Sequence, residues 1–168
     1  MSLIKNCVAF FYKRRDASRA SASVVKEGKE LSATARTGLW GEHVAAQFLE
    51  SQGMEIVGRR VKVLRDEIDL IAIVQIRDRE MLVFVEVKTR ASDRYGGGRA
   101  AMDARKRHAL CRAAANYLRR RAKAPFRFDL VEVIGREAAA TPPVIRHFDN
   151  AFPMEKRYLH GALHRRKR

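Results

Sequence analysis

The alternation of hydrophobic and polar positions predicts a helix, three strands, a second helix and two further strands. Apolar residues recur at helical spacing between Ala33 and Gln52, and Gly53 supplies a stop signal after them. A second stretch, Arg99–Lys123, is rich in alanine and arginine and precedes Pro125. Strand-like segments are found at residues 54–63, 67–77, 81–88, 126–134 and 144–148. This order indicates an α/β fold with a mixed central β-sheet flanked by helices.

Two charged residues end the third predicted strand. Glu86 and Lys88 follow an apolar run, and strand alternation places both side chains on one side, with Cα atoms about 6.5 Å apart. A buried charge without a partner costs several kcal/mol, so packing alone does not explain this pair. A divalent metal ion on the carboxylate, with the lysine beside a water molecule that attacks a phosphodiester, is one use that suits both groups.

An acidic residue also interrupts the preceding strand, which a short polar turn joins to the third strand as a predicted hairpin. Asp69 is followed by five apolar residues, although aspartate is depleted in strands. Alternation puts it on the same side as Glu67 and Ile71. Taken alone, Asp69 also fits a solvent-facing strand end. Next to Glu86 and Lys88 on the partner strand, it completes a candidate catalytic set.

Each predicted helix carries one charged residue on its apolar face. Glu42 lies in the stripe that contains Ala45 and Leu49, and Lys106 lies at the centre of the face that contains Leu110. Glu42 is either a boundary residue that reaches water or an acid directed at the site. Lys106 either extends its amine to water or contacts phosphate or the acidic residues.

The charge balance favours a polyanionic partner. The chain has 168 residues, a net charge of +16 and an apolar fraction of 46%, which is typical of a globular protein. Such a charge attracts nucleic acid or an anionic membrane surface. The second helix is almost uniformly basic, and self-repulsion along it is relieved by a polyanion. The candidate phosphate contacts are Arg90, Arg99, Arg105, Lys106 and Arg107.

Composition also bears on the compartment and on the domain boundaries. The two cysteines argue against a disulfide framework and fit a reducing compartment. No apolar stretch approaches the roughly 20 residues of a membrane span. We therefore expect a cytoplasmic protein with no membrane partner. We expect a basic, poorly ordered extension at residues 1–32, one domain at residues 33–153 and a basic tail at residues 154–168.

Several motifs in combination resemble the YraN-like family of small bacterial proteins. They are Gly41-Glu42, Glu67-Ile68-Asp69-Leu70-Ile71 and Val83-Phe84-Val85-Glu86-Val87-Lys88-Thr89-Arg90. The likeness extends from about Thr37 to Phe152. That family is assigned the restriction-endonuclease-like fold of the PD-(D/E)xK nuclease superfamily, and its core is similar to that of archaeal Holliday junction resolvases.

The resemblance implies a nuclease-type core with residues in defined roles. Asp69 and Glu86 would bind Mg²⁺ or Mn²⁺, Lys88 would be the catalytic lysine, and Glu42 an accessory acid. The resemblance implies no established substrate. We expect DNA rather than RNA, branched or junction DNA included, and the likeness to resolvases suggests a homodimer. One departure matters: the family usually has glycine where this chain has Asp66. We expect this further acid to lie near the metal site, which makes the number of metal ions harder to predict.

Two other functions stay open at this point. A non-catalytic nucleic-acid-binding module on a nuclease fold would bind with steep salt dependence and show no metal-dependent cleavage. An RNA- or ribosome-associated basic protein would use the acidic residues only for structure. Binding of a divalent ion that is lost on Asp69→Asn would distinguish the nuclease from both.

Overall fold

The computed structural model describes residues 31–92, 103–119 and 124–163 of the protein. Residues 1–30, Arg99 and the last five residues therefore lie outside the described parts. The elements, in chain order, are α1 (Ala33–Ser51), β1 (Glu55–Val63), β2 (Asp66–Ile76), β3 (Arg79–Arg90), α2 (Ala104–Leu118), β4 (Phe126–Ile134), β5 (Val144–Phe148) and α3 (Lys156–Leu163). The α/β class is confirmed, and so are the five strands that the hydrophobic pattern predicted.

Local chemistry starts each of the two long helices. The hydroxyl of Ser32 accepts a hydrogen bond from the N–H of Ala35 at the start of α1, at 3.2 Å. The carboxylate of Asp103 accepts one from the N–H of Arg105 at the start of α2, at 2.9 Å. No described helix is long and apolar enough to cross a membrane.

The five strands form one mixed sheet in the order β1-β2-β3-β4-β5. Neighbouring strands are antiparallel except β3 and β4, which are parallel. A parallel pair needs a crossover connection, and α2 is the helix of that connection. Strand β3 is the middle strand of the sheet, and the charged residues at its carboxyl end are paired with β4.

Both faces of the sheet are covered by helices. On one face, α1 packs its buried alanines and Leu49 against a cluster that includes Leu70, Val83 and Val131. On the other face, α2 and α3 pack against a cluster that includes Phe84 and Phe128. Alternate residues of β3 thus enter two different cores, which explains why its central segment is almost uniformly apolar.

The third helix was not predicted from the sequence. Lys156–Leu163 lies in the segment that we assigned to the basic tail, and it is only eight residues long. Tyr158 and Leu159 nevertheless pack against the α2 side of the core, and Met154 is buried. His108 of α2 reinforces the contact by bonding Glu155 at 3.0 Å and the Tyr158 hydroxyl at 2.9 Å. The folded region therefore extends beyond residue 153.

Candidate functional site

The candidate site lies where β2 and β3 separate. Their pairing runs from Ile76 and Arg79 to Leu70 and Val85 and then stops. Strand β3 stays paired with β4 as far as Arg90, so its last five residues no longer have β2 as a paired neighbour. The polar groups at this split are available for other contacts, inside an otherwise buried sheet.

Asp69 occupies the split. Its Oδ2 accepts a hydrogen bond from the backbone N–H of Val87 at 2.8 Å, where a regular ladder would have a backbone acceptor. Strand alternation is also interrupted here, since Ile68 and Ile71 enter the same core while Leu70 enters the other. Our expectation of simple alternation from Glu67 to Ile71 was therefore wrong. The interruption accompanies the placement of a carboxylate between two strands.

Glu86 and Lys88 lie together beside the split, as alternation predicted. Glu86 is buried, and its Oε1 accepts a hydrogen bond from the Nζ of Lys88 at 2.8 Å. The Nζ of Lys106, on α2, lies 3.7 Å from the same oxygen. One carboxylate thus receives two ammonium groups from different elements. Lys106 thus reaches the site, and its half-exposed side chain is also in contact with solvent.

The two carboxylates at the split repel each other. Burial and, next, the charge of Glu86 raise the pKa of Asp69 to about 7, while the hydrogen bond from Val87 acts in the opposite direction. A carboxylate with a raised pKa is stabilised in its charged form by any cation that reaches it. The electrostatics of the pair therefore favour a bound cation.

A cavity of about 570 Å³ gives access to these groups. Small residues in the first two turns of α1 form one wall of the cavity. The first residues of β2 and the last residues of β3 form its floor. The lining residues are Ala33, Thr34, Thr37, Gly38, Glu42, Glu67, Asp69, Glu86, Val87, Lys88, Thr89 and Lys106. All four residues that we predicted as catalytic are among them.

Glu42 reaches the cavity from α1. Burial raises the pKa of its carboxyl, and the positive charge of Arg60 is the largest effect that lowers this pKa. The Nε of Arg60 lies 4.0 Å from Glu42 Oε2, and Arg60 also donates to Glu67 at 3.0 and 3.1 Å. We did not predict Arg60 or Glu67 as site residues. Their pairing depends on the β1–β2 register, for which the sequence carries no local signal.

The donor set at the split fits a hard divalent cation. Asp69 and Glu86 provide carboxylate oxygens, and Val87, which follows Glu86 directly in the chain, also lines the cavity and adds a backbone carbonyl. Oxygen ligands from one or two carboxylates, completed by water and phosphate, are what Mg²⁺ prefers. Within residues 31–92, 103–119 and 124–163, no three side chains of His, Cys, Asp or Glu are grouped so that they could hold a metal ion together. An ion at the split would therefore have two carboxylates as its side-chain ligands.

Among the predicted phosphate contacts that the structure describes, Arg90, Arg105 and Arg107 do not line the cavity. Arg90 is half-buried at the end of β3, and Arg105 and Arg107 are exposed near the start of α2. The Nε of Arg105 lies 4.0 Å from the capping Asp103. These three residues could contact only parts of a substrate that extend beyond the cavity.

Asp66 has a structural partner, contrary to our expectation of a further acid at the metal site. Its carboxylate accepts two hydrogen bonds from the guanidinium of Arg112, at 2.7 and 2.8 Å. These bonds lower the pKa of Asp66. The adjoining turn places Leu64 at a positive φ of 56°. The ion pair joins the start of β2 to α2, and Asp66 is not among the residues that line the cavity.

Comparison with known proteins identifies the relatives of this fold and site. A family model for UPF0102, described as an uncharacterised protein family, matches residues 41–133. The chain belongs to the UPF0102 family. The resemblance to YraN-like proteins is thereby confirmed. The segment matched by the UPF0102 model contains Glu42, Asp69, Glu86, Lys88 and Lys106.

Individual UPF0102 proteins match most of the folded region. One from Syntrophotalea carbinolica is 38% identical over 120 residues, which is 70% of this chain and 92% of the relative. One from Symbiobacterium thermophilum is 47% identical over 100 residues, 58% of this chain and 81% of the relative. One from Xanthomonas oryzae pv. oryzae is 39% identical over 114 residues, which is 66% of this chain and 86% of the relative. Each is named only as a UPF0102 protein, so these matches do not assign an activity to the chain.

Proposed function

We propose that this protein is a metal-dependent phosphodiesterase that acts on nucleic acid, with DNA as the expected substrate. The observation that carries the proposal is the position of Asp69 in the split between β2 and β3, bonded to Val87 and next to Glu86 and Lys88. A buried carboxylate, a partly buried one and a lysine around one open cavity are costly for stability. Metal-dependent hydrolysis of a phosphodiester is a chemistry that uses this combination of groups.

Asp69, Glu86 and the carbonyl of Val87 would hold Mg²⁺ or Mn²⁺. The ion, when bound, supplies positive charge to the phosphoryl transition state and lowers the pKa of a coordinated water. Lys88 is held at the site by its hydrogen bond to Glu86. It orients the attacking water or takes part in its deprotonation. The ammonium group of Lys106 lies 3.7 Å from the same oxygen of Glu86, where it can bind a non-bridging phosphate oxygen.

The net charge of +16 supports a nucleic-acid substrate. Lysine and arginine contacts to phosphates give affinity and positioning without reading the sequence. The protein would therefore choose its substrate by shape. Branched or junction DNA is the shape that the resemblance to resolvases implies, together with a homodimer.

The direct test is a cleavage assay with the full chain on junction, flapped, single-stranded and duplex DNA and on RNA, with Mg²⁺ or Mn²⁺ and with EDTA. We expect ion-dependent cleavage that falls at least 100-fold in Asp69→Asn and in Lys88→Ala. Asp78→Asn, in the exposed turn at the other end of the β2–β3 hairpin, is the matched control.

The same assay separates the alternatives. Binding to DNA with no cleavage under any of these conditions would favour a non-catalytic module on a nuclease fold. Preferential binding of RNA without cleavage would favour an RNA-associated basic protein. Cleavage that survives both Asp69→Asn and Lys88→Ala would contradict the proposed site. The molar mass of the wild type, measured by light scattering, tests the homodimer.

A further inference from the structure

Arg60 has a backbone conformation that is unusual for its residue type. Its φ is 48°, in the left-handed region that non-glycine residues rarely adopt. It lies between the paired positions Arg59–Leu70 and Val61–Ile68, so it stands opposite Asp69 in the β1–β2 ladder. Strain of this kind persists only where the surrounding structure imposes it, and it is found most often at functional sites.

The left-handed backbone changes the direction of the side chains. Neighbouring residues of a regular strand point to opposite faces of the sheet. Here Arg59 reaches Glu50 at 3.5 Å, and the next residue, Arg60, reaches Glu42 at 4.0 Å. Both acids belong to α1. Two consecutive guanidinium groups are therefore turned toward the same helix, and the second of them lies at the cavity.

Arg60 divides the acids of the cavity into two pairs. Its Nε and Nη2 both donate to Glu67, at 3.1 and 3.0 Å, and its Nε faces Glu42. Glu42 and Glu67 thus share a guanidinium. Asp69 and Glu86 have no guanidinium among the contacts of the described residues. Of the four carboxylates that line the cavity, Glu42 and Glu67 thus face one guanidinium, whereas Glu86 faces two lysine ammonium groups and Asp69 accepts a backbone N–H.

Stability does not account for this arrangement. The side chain of Arg60 is 47% exposed, and ion pairs of that exposure contribute little to folding. The left-handed backbone costs free energy at the same residue. A guanidinium also keeps its charge at every pH at which the protein is folded. The arrangement therefore supplies a permanent positive charge at a fixed place.

We propose that the guanidinium of Arg60 takes the place of a second divalent cation, so that the site binds a single ion, at Asp69 and Glu86. This inference rests on the proposed function. Many phosphodiesterases use two ions about 3.5–4 Å apart to neutralise the attacking and leaving oxygens. Here Lys88, Lys106 and Arg60 already oppose four carboxylates, so one divalent ion leaves an excess of positive charge for an incoming phosphate.

The test is the stoichiometry of Mn²⁺ binding to the full chain, measured by calorimetry and by electron paramagnetic resonance without nucleic acid. We expect one ion per chain in the wild type. Arg60→Gln frees Glu42 and Glu67, and we expect it to bind two ions. Adding Glu67→Gln to that variant should return the number to one. Arg59→Gln, which removes the neighbouring guanidinium from Glu50, is the matched control and should bind one ion.

Each result decides between the two proposals. Two ions in the wild type, or one ion in a folded Arg60→Gln variant, would overturn the role of Arg60 and leave the nuclease proposal intact. No ion in the wild type, or an ion retained in Asp69→Asn, would overturn the metal centre and the inference with it. If Arg60→Gln does not fold, the wild-type number alone remains decisive, since two ions contradict the inference and one supports it.

Discussion

Gly41 of α1 lies directly against Thr89 of β3, and a Cβ atom on Gly41 would overlap the Thr89 hydroxyl. This contact sets the distance between the helix and the strand that carries Glu86 and Lys88. The residue after Gly41 is Glu42, so the same contact sets how far its carboxylate reaches into the cavity. One missing side chain thus determines the spacing between the wall and the floor of the site.

The contact predicts a strong effect of the smallest possible substitution. Gly41→Ala should destabilise the fold by about 1–3 kcal/mol, because α1 or Thr89 must move to admit the methyl group. Mn²⁺ affinity should fall as well, since a displaced Thr89 moves the end of β3 that carries Glu86. Gly38→Ala is the control, because an added Cβ there meets nothing within 4 Å. Alanine should stabilise the helix at that position by about 0.5–1 kcal/mol. Urea denaturation of both variants checks this, and equal effects would contradict it.

The raised pKa of Asp69, about 7, predicts an unusual pH dependence of stability. An aspartate in the unfolded chain titrates near 3.9, so the folded state binds this proton more tightly. Its contribution to stability is complete below pH 4 and is lost as the pH rises through 7. In EDTA, the wild type should therefore lose stability relative to Asp69→Asn between pH 5 and pH 8, by a few kcal/mol. Saturating Mn²⁺ should restore the stability of the wild type at pH 8 and leave that of Asp69→Asn unchanged.

Urea denaturation of both proteins at pH 5 and at pH 8 measures this difference. The comparison cancels all other titrating groups, because they are common to the two proteins. Parallel stabilities of wild type and Asp69→Asn across this range would show that Asp69 does not titrate near neutrality. Stabilisation of Asp69→Asn by Mn²⁺ to the same extent as the wild type would place the ion elsewhere.

Asp66 should matter for stability and not for metal binding. Its side chain is largely buried in a bidentate pair with Arg112. Asp66→Asn should cost about 1–3 kcal/mol, since a charge-assisted hydrogen bond is lost and the guanidinium keeps only a neutral partner. The lowered pKa of Asp66 means that the contribution is present above pH 4 and is lost as the medium becomes more acidic. The Mn²⁺ affinity of Asp66→Asn should equal that of the wild type. A tenfold loss of affinity would contradict this and show that Asp66 takes part in metal binding.

These residues also show how far sequence alone could go. Asp69, Glu86 and Lys88 could be found because each breaks a local pattern, as a charge inside a strand that is otherwise apolar. Arg60 breaks no such pattern, because a basic residue on an edge strand is ordinary. Its role depends on a backbone torsion and on a register that shifts between Ile56 and Gly58. Neither property can be read from residue types.

Long-range contacts set the other limit. Asp66 and Arg112 are 46 positions apart, and His108 and Tyr158 are 50 apart. Each residue alone fits an exposed charge or a polar helix position. The sequence analysis consequently placed Asp66 at the metal site and left α3 in the tail. Both errors arise because a partner that is distant in the chain decides the role of the residue.

Lys106 should contribute one phosphate contact to nucleic-acid binding. Its ammonium group lies 3.7 Å from Glu86, at the cavity, and its side chain is 51% exposed, so it can leave that carboxylate for a phosphate. Lys106→Gln should weaken binding of all DNA sequences alike and reduce the slope of log K against log salt by about 1. Fluorescence anisotropy in EDTA between 50 and 200 mM salt (on the order of the range where such slopes are steep) measures both. Lys156→Gln, on the exposed face of α3, is the control with the same charge change. An equal change of slope in both variants would mean that the protein binds through its overall charge, and the cavity would then have no special part in holding the backbone.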